Sequence, residues 1–150
     1  MNVNGFFLGV SLTVLAALGA PLAVSAAGDG PTAESLGSND PTKDRAGATD
    51  VYLLACPRGT RTAQAHINEG NNDVVPLSVQ VLNPHGSATT ESGINGGLSA
   101  EAIVRGGPGS YLVTVHKNGA GLETYTITLD CYDAQGLRFE GEQSTLVQDQ

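Results

Sequence analysis

The residues able to do chemistry in this chain are few, and their spacing says what each could support. Ser110 and His116 lie close together in sequence. Nucleophilic catalysis needs such a hydroxyl beside a base, with a third group to orient that base. The residues between them alternate as in a strand, and six strand residues span about 20 Å. No Gly-x-Ser-x-Gly elbow occurs, so the sequence predicts no catalytic residues. His66, Glu69, Asn71, Asn72 and Asp73 fall in one short, glycine-containing stretch. Oxygen ligands on such a loop suit calcium, so Glu69, Asn71 and Asp73 are the candidate ligands, although the spacing is not that of an EF-hand loop. His66, His85 and His116 occupy polar or turn positions and read as surface residues. Met1 is the only methionine, which excludes a thioether copper site. Cys56 and Cys131 are the only cysteines and form no Cys-x-x-Cys, so in an oxidising compartment they read as a structural disulfide.

Glycan binding usually draws on aromatic platforms. Beyond the first segment, the aromatic side chains are Tyr52, Tyr111, Tyr125, Tyr132 and Phe139. Tyr111 and Tyr125 fall on the apolar side of alternating segments and are expected in the core. Tyr52 alternates with Val51 and Leu53, and Tyr132 follows the last cysteine, which leaves these two as candidate surface binding residues.

The compartment follows from the first residues. Phe6 to Ala27 is an uncharged, mostly apolar run. Its core has the length of a secretory signal, Pro21 breaks it, and Val24-Ser25-Ala26 supplies the small residues that signal peptidase needs. Residues 1–26 are therefore expected to be a signal peptide cleaved after Ala26, with Ala27 as the alternative. No Lys or Arg precedes the run. The protein is then periplasmic or extracellular, in a bacterium, with no membrane insertion after cleavage. The formal charge of −8 falls wholly on the remainder, where the first charged side chain is Asp29. Fifteen acidic against seven basic residues leave no footprint for nucleic acid.

Residues 27–49 contain hardly any large apolar side chain and are expected to be a flexible leader. From about Asp50 the hydrophobic period is two. Val51 to Cys56, Thr60 to Ile67, Leu77 to Leu82, Ala100 to Val104, Tyr111 to Lys117 and Thr124 to Cys131 read as strands. They are split by turns such as Pro57-Arg58-Gly59 and Asn83-Pro84-His85-Gly86. The last two strands read as a hairpin across Asn118-Gly119-Ala120-Gly121. Several short strands at this spacing indicate an all-β sandwich or barrel over residues 50–133. Residues 134–150 read as a polar tail, in which Leu137 and Phe139 could add an edge strand.

The order of these signals resembles the bacterial pre-peptidase C-terminal domain family. The residues that carry the resemblance are Pro57-Arg58-Gly59-Thr60 and Asn71-Asn72-Asp73 before the strand at Leu77. Asn83-Pro84-His85-Gly86, Pro108-Gly109-Ser110-Tyr111 and Tyr125-Thr126-Ile127 complete it. The match covers about half of the chain. It implies a small jelly-roll-like antiparallel β-sandwich, non-catalytic, here as a stand-alone copy with no peptidase attached. Family members are thought to serve secretion, solubility or substrate attachment, and related collagenase modules fold with calcium. The expectation is a non-catalytic exported module acting by protein contact, as an accessory or assembly subunit of the cell envelope. Its partner would be another exported or envelope protein. The alternatives are a calcium- or polysaccharide-binding module and, third, a small hydrolase. No cofactor is expected unless calcium is one.

Overall fold

The structure is a computed structural model that describes residues 32–37, 47–70, 75–93, 96–140 and 142–150. The expected signal peptide, most of the leader, and Asn71, Asn72 and Asp73 lie outside the described residues. The described residues form strands and turns, with no helix long and apolar enough to cross a membrane.

The strands are β1 (Thr32–Leu36), β2 (Thr49–Cys56), β3 (Thr62–Glu69), β4 (Leu77–Asn83), β5 (Gly86–Glu91), β6 (Gly97–Leu98), β7 (Ala102–Val104), β8 (Gly109–Lys117), β9 (Glu123–Tyr132) and β10 (Gln143–Gln148). They build two antiparallel sheets. In the first, β9 lies between β1 and β3, and both β6 and β7 pair with the other edge of β3. The second runs β10-β2-β8-β4-β5, with β8 in the middle.

Strict alternation decides which side chains meet between the sheets. Ala63, Ala65 and Ile67 of β3 and Tyr125, Ile127 and Cys131 of β9 turn inward from the first sheet. Leu77, Val79 and Val81 of β4 and Tyr111, Val113 and Val115 of β8 meet them from the second. All are at most 2% exposed. Burying each larger side chain stabilises the fold by about 1.5–3 kcal/mol before ordering entropy is charged. Cys56 and Cys131 are bonded, with Cα atoms 5.7 Å apart. The bridge crosses the core from β2 to β9, and both strands are flanked on each side in their sheets. It therefore pins the sheets together at interior strands, not at the edges of the fold.

The all-β class, the two antiparallel sheets and the disulfide agree with the sequence reading. Four features correct it. First, residues 32–36, expected within a flexible leader, form an edge strand on β9 in the register Thr32 to Ile127 through Leu36 to Glu123. The segment has one large apolar anchor, Leu36, and it is fully buried. Backbone bonding to β9 supplies the rest. Gly37 follows with φ +89°, and a Cβ there would lie 2.8 Å from the Gly121 carbonyl oxygen, so the close approach of backbone at the end of β1 requires glycine.

Second, β8 and β9 are not a hairpin. β8 pairs with β2 and β4, whereas β9 pairs with β1 and β3. The chain at 118–122 arches from one sheet to the other, so these strands face each other across the core. Third, Leu137 and Phe139 add no edge strand. Asp133 Oδ1 accepts bonds from the Gln135 and Leu137 N–H groups at 2.8 Å, closing a turn that leaves Leu137 exposed. Phe139 N–H donates to the Cys131 carbonyl at 2.8 Å and its ring packs on the core. The edge strand instead comes later in the expected tail, as β10 on β2. Its register shifts between Leu146 and Gln148, a bulge at Val147 of the kind that blunts an open edge.

The fourth correction concerns the phase of β2. Asp50, Tyr52, Leu54 and Cys56 point inward, and Val51, Leu53 and Ala55 point outward. Tyr52, expected on the surface, is 3% exposed. The strand is apolar on both sides, so hydrophobicity alone cannot fix its phase. Cys56 can, because it must reach Cys131 across the core and shares parity with Tyr52.

Candidate functional site

The residues singled out for chemistry are dispersed. Ser110 and His116 stand on one face of β8 near its opposite ends. The imidazole of His116 is held between Thr49 Oγ1, 2.9 Å from Nδ1, and Asn118 Oδ1, 2.7 Å from Nε2. His66 is on the outward face of β3 in the other sheet, and His85 is exposed in the β4–β5 turn, so the histidines share no site. Tyr132 is half-buried, its hydroxyl 3.4 Å from Asp130 Oδ2.

Glu69 ends the inward row of β3 and is 5% exposed. Its Oε2 accepts from the Ser92 hydroxyl, and Ser92 Oγ accepts from the Leu77 N–H at 2.9 Å. The carboxylate thus holds the chain leaving β5 against the start of β4. Its Oε1 has no hydrogen-bond partner and is the oxygen with which Glu69 could meet a cation. Asn71 and Asp73, the other two calcium candidates, lie outside the described residues. Among the described residues, no group of three or more His, Cys, Asp or Glu is placed to hold a metal ion.

The polar network that the sequence reading missed lies inside the sandwich. Asp50 is fully buried at the start of β2. Its Oδ2 accepts from the Tyr125 hydroxyl at 2.7 Å, and its Oδ1 accepts from the Gln150 N–H at 2.9 Å. The Tyr52 and Tyr125 hydroxyls are 2.7 Å apart. Tyr125 has a single hydroxyl proton, already given to Asp50, so Tyr52 donates to Tyr125. The direction Tyr52 to Tyr125 to Asp50 is set by the carboxylate at its end. Burial pushes both tyrosine hydroxyls well above their ordinary value of 10.0, which keeps them protonated. Burial also raises Asp50 above 3.8, with the charge of Asp149 adding to it and the bonds from Tyr125 and Gln150 opposing it. Glu34 is raised above 4.5 by burial and then by the charges of Asp149 and Asp50, and Glu142 is raised mainly by burial.

These shifts share a sign with a measurable result. A carboxyl whose folded pKa exceeds its unfolded one binds more protons in the native state, so stability falls as pH rises. Acidification from neutral pH toward the ordinary carboxylate range of about 4 should therefore increase the contribution of these groups to the melting temperature. Asp50→Asn should flatten that slope. A melting temperature that is constant or falls over this interval would contradict the burial of these acids.

The outward face of the second sheet carries an apolar row on its central strands. Register places Leu53 of β2 opposite Leu112 of β8, and Leu112 opposite Leu82 of β4. Three leucines thus stand in one cross-strand row over the middle of the sheet. Leu53 is 41% exposed and Leu112 42%, high values for leucines on central strands. Val51 and Ala55 extend the apolar strip along β2. Around it the outward residues are Ser, Thr and Gln, with His116 and Glu91 along one margin. No Lys or Arg projects from this face in a chain of net charge −8. The outward face of the first sheet is polar on its central strands, with Thr124, Thr126 and Thr128 on β9 and Gln64, His66 and Asn68 on β3. Its exposed apolar side chains, Leu98 and Ile103, stand on the edge strands β6 and β7. The two faces thus differ in where their apolar side chains stand, at the centre of the second sheet and at the edge of the first.

Comparisons of the chain with protein-family models, with curated proteins and with solved structures found no match.

Proposed function

We propose that this protein is an exported, non-catalytic β-sandwich module that works by protein contact, as an accessory or assembly subunit of the cell envelope. The contact surface in this reading is the outward face of the β10-β2-β8-β4-β5 sheet. The observation that carries it is the Leu53–Leu112–Leu82 row at the centre of a nearly uncharged face on an acidic protein. An apolar centre inside an uncharged polar rim is the usual anatomy of a protein–protein interface. The resemblance to a family of non-catalytic secreted modules and the export signal in the sequence support the same reading.

Affinity capture tests it. Residues 27–150 contain every described strand and can be tagged and incubated with the cell-envelope fraction. A stoichiometric protein should be retained, lost with Leu53→Glu and kept with Thr128→Glu on the opposite face. Capture that survives Leu53→Glu would place the contact elsewhere.

A further inference from the structure

We infer that the protein forms a two-fold homodimer in which the outward faces of two β10-β2-β8-β4-β5 sheets pack against each other. This rests on reading that face as the contact surface, and it names the occupant as a second copy of the chain. The rim is the first argument. Gln80, Thr89, Ser110, Thr114, Gln143 and Thr145 project from the face around the leucine row. Each side chain both donates and accepts hydrogen bonds. Such a set can pair with itself across a two-fold axis, where each patch meets its own copy, whereas carboxylates or ammonium groups could not.

Charge gives the second argument. Two chains of −8 repel each other over most of their surfaces. This face, with one carboxylate at its margin, lets two copies approach without placing like charges in the contact centre. Nor does it present a charge pattern by which an oppositely charged partner would be selected.

Size is the third. Five strands about 4.8 Å apart, each contributing about six residues at 3.4 Å, give a footprint of roughly 500 Å². Two copies then bury about 1,000 Å², the lower bound for a specific interface. Aligned sheets pack stably at about 10 Å when apolar rows interdigitate. Leu112, on the middle strand, would lie near the axis, with Leu53 and Leu82 to either side.

Sedimentation velocity and light scattering on residues 27–150 test this. The expected result is a dimer at concentrations up to about 100 µM, tightening as salt screens the remaining charge. Leu112→Glu should raise the dimer dissociation constant by at least about tenfold. The same variant should keep its far-UV spectrum and an intact disulfide, since the side chain points outward. Thr126→Glu, on the other sheet, should leave the dimer unchanged. A monomeric wild-type protein overturns the inference. If that monomer still captures an envelope protein through Leu53, the contact reading stands and the occupant is a different protein. If Leu53→Glu also has no effect on capture, both fail. A dimer indifferent to Leu112→Glu overturns the inference too, because the interface must then lie elsewhere.

Discussion

Reducing the Cys56–Cys131 bridge, or replacing Cys56 with Ser, should lower the stability of this protein by roughly 4–5 kcal/mol. The bridge closes a sequence separation of 75 residues. In the chain-entropy model, tying such a loop removes about that much freedom from the unfolded state. Domains of this size are stable by only about 5–15 kcal/mol, so the loss is a large share of the total. With roughly 4 °C or more per kcal/mol for a small domain, the melting temperature should fall by about 15 °C or more. Cys56→Ser has a further consequence, because Cys56 is only 6% exposed and the new hydroxyl would need a partner. A Cys56→Ala, Cys131→Ala double variant isolates the crosslink from that effect. Identical melts with and without reductant would mean that no bridge forms in the folded protein.

Tyr125→Phe should be the most damaging single-atom deletion, at about 3 kcal/mol. The lost oxygen serves two neighbours: it donates to Asp50 and accepts from Tyr52. Its removal takes a charge-assisted bond from a buried carboxylate, worth about 1.5–3 kcal/mol, and leaves the Tyr52 hydroxyl unpaired inside the core. Tyr52→Phe removes only the outer donor and should cost about 1 kcal/mol. Asp50→Asn should fall between the two at neutral pH, at about 2 kcal/mol. The amide can accept from Gln150 with its oxygen and donate to Tyr125 with its nitrogen. Tyr125 then donates to Tyr52, so the chain reverses and the proton of the buried Tyr52 hydroxyl loses its acceptor. The ranking Tyr125→Phe, then Asp50→Asn, then Tyr52→Phe can be read from urea midpoints. Equal costs for the two tyrosine variants would contradict the relay.

The different parts of this molecule were legible in the sequence to different degrees, for reasons that individual residues show. β3, β4, β8 and β9 alternate cleanly, and their inward residues could be listed without coordinates. Their pairing could not. A glycine-rich turn between two alternating strands serves a hairpin and an arch equally well, because period two describes a strand and says nothing about its neighbour. β1 was hidden because one buried leucine suffices for an edge strand that takes its other bonds from the backbone of β9. The phase of Tyr52 is not legible locally because Val51 to Cys56 is apolar throughout, and the constraint that decides it is the bridge from Cys56 to a cysteine 75 residues away. The leucine row was invisible for a related reason. Leu53, Leu82 and Leu112 are about 30 residues apart in sequence and become neighbours only through the registers of β2, β8 and β4. Glu69 is a calcium candidate by its place in a glycine-containing polar stretch, and the burial of its carboxylate against Ser92 is a contact that only the fold creates.

The bridge has a mechanical consequence as well. β3 through β8, and β9 up to Cys131, lie within the covalent loop, while β1, β2 and β10 lie outside it. Tension applied through the chain before β1 and after β10 would reach the sulfur–sulfur bond through β2 and bypass the loop. β10 could be peeled from β2, and β1 from β9, as the chain lengthens. The strands inside the loop would bear none of that load directly. A pulled molecule would therefore yield a short, fixed extension and then stiffen abruptly, and reduction would release the length of the enclosed strands.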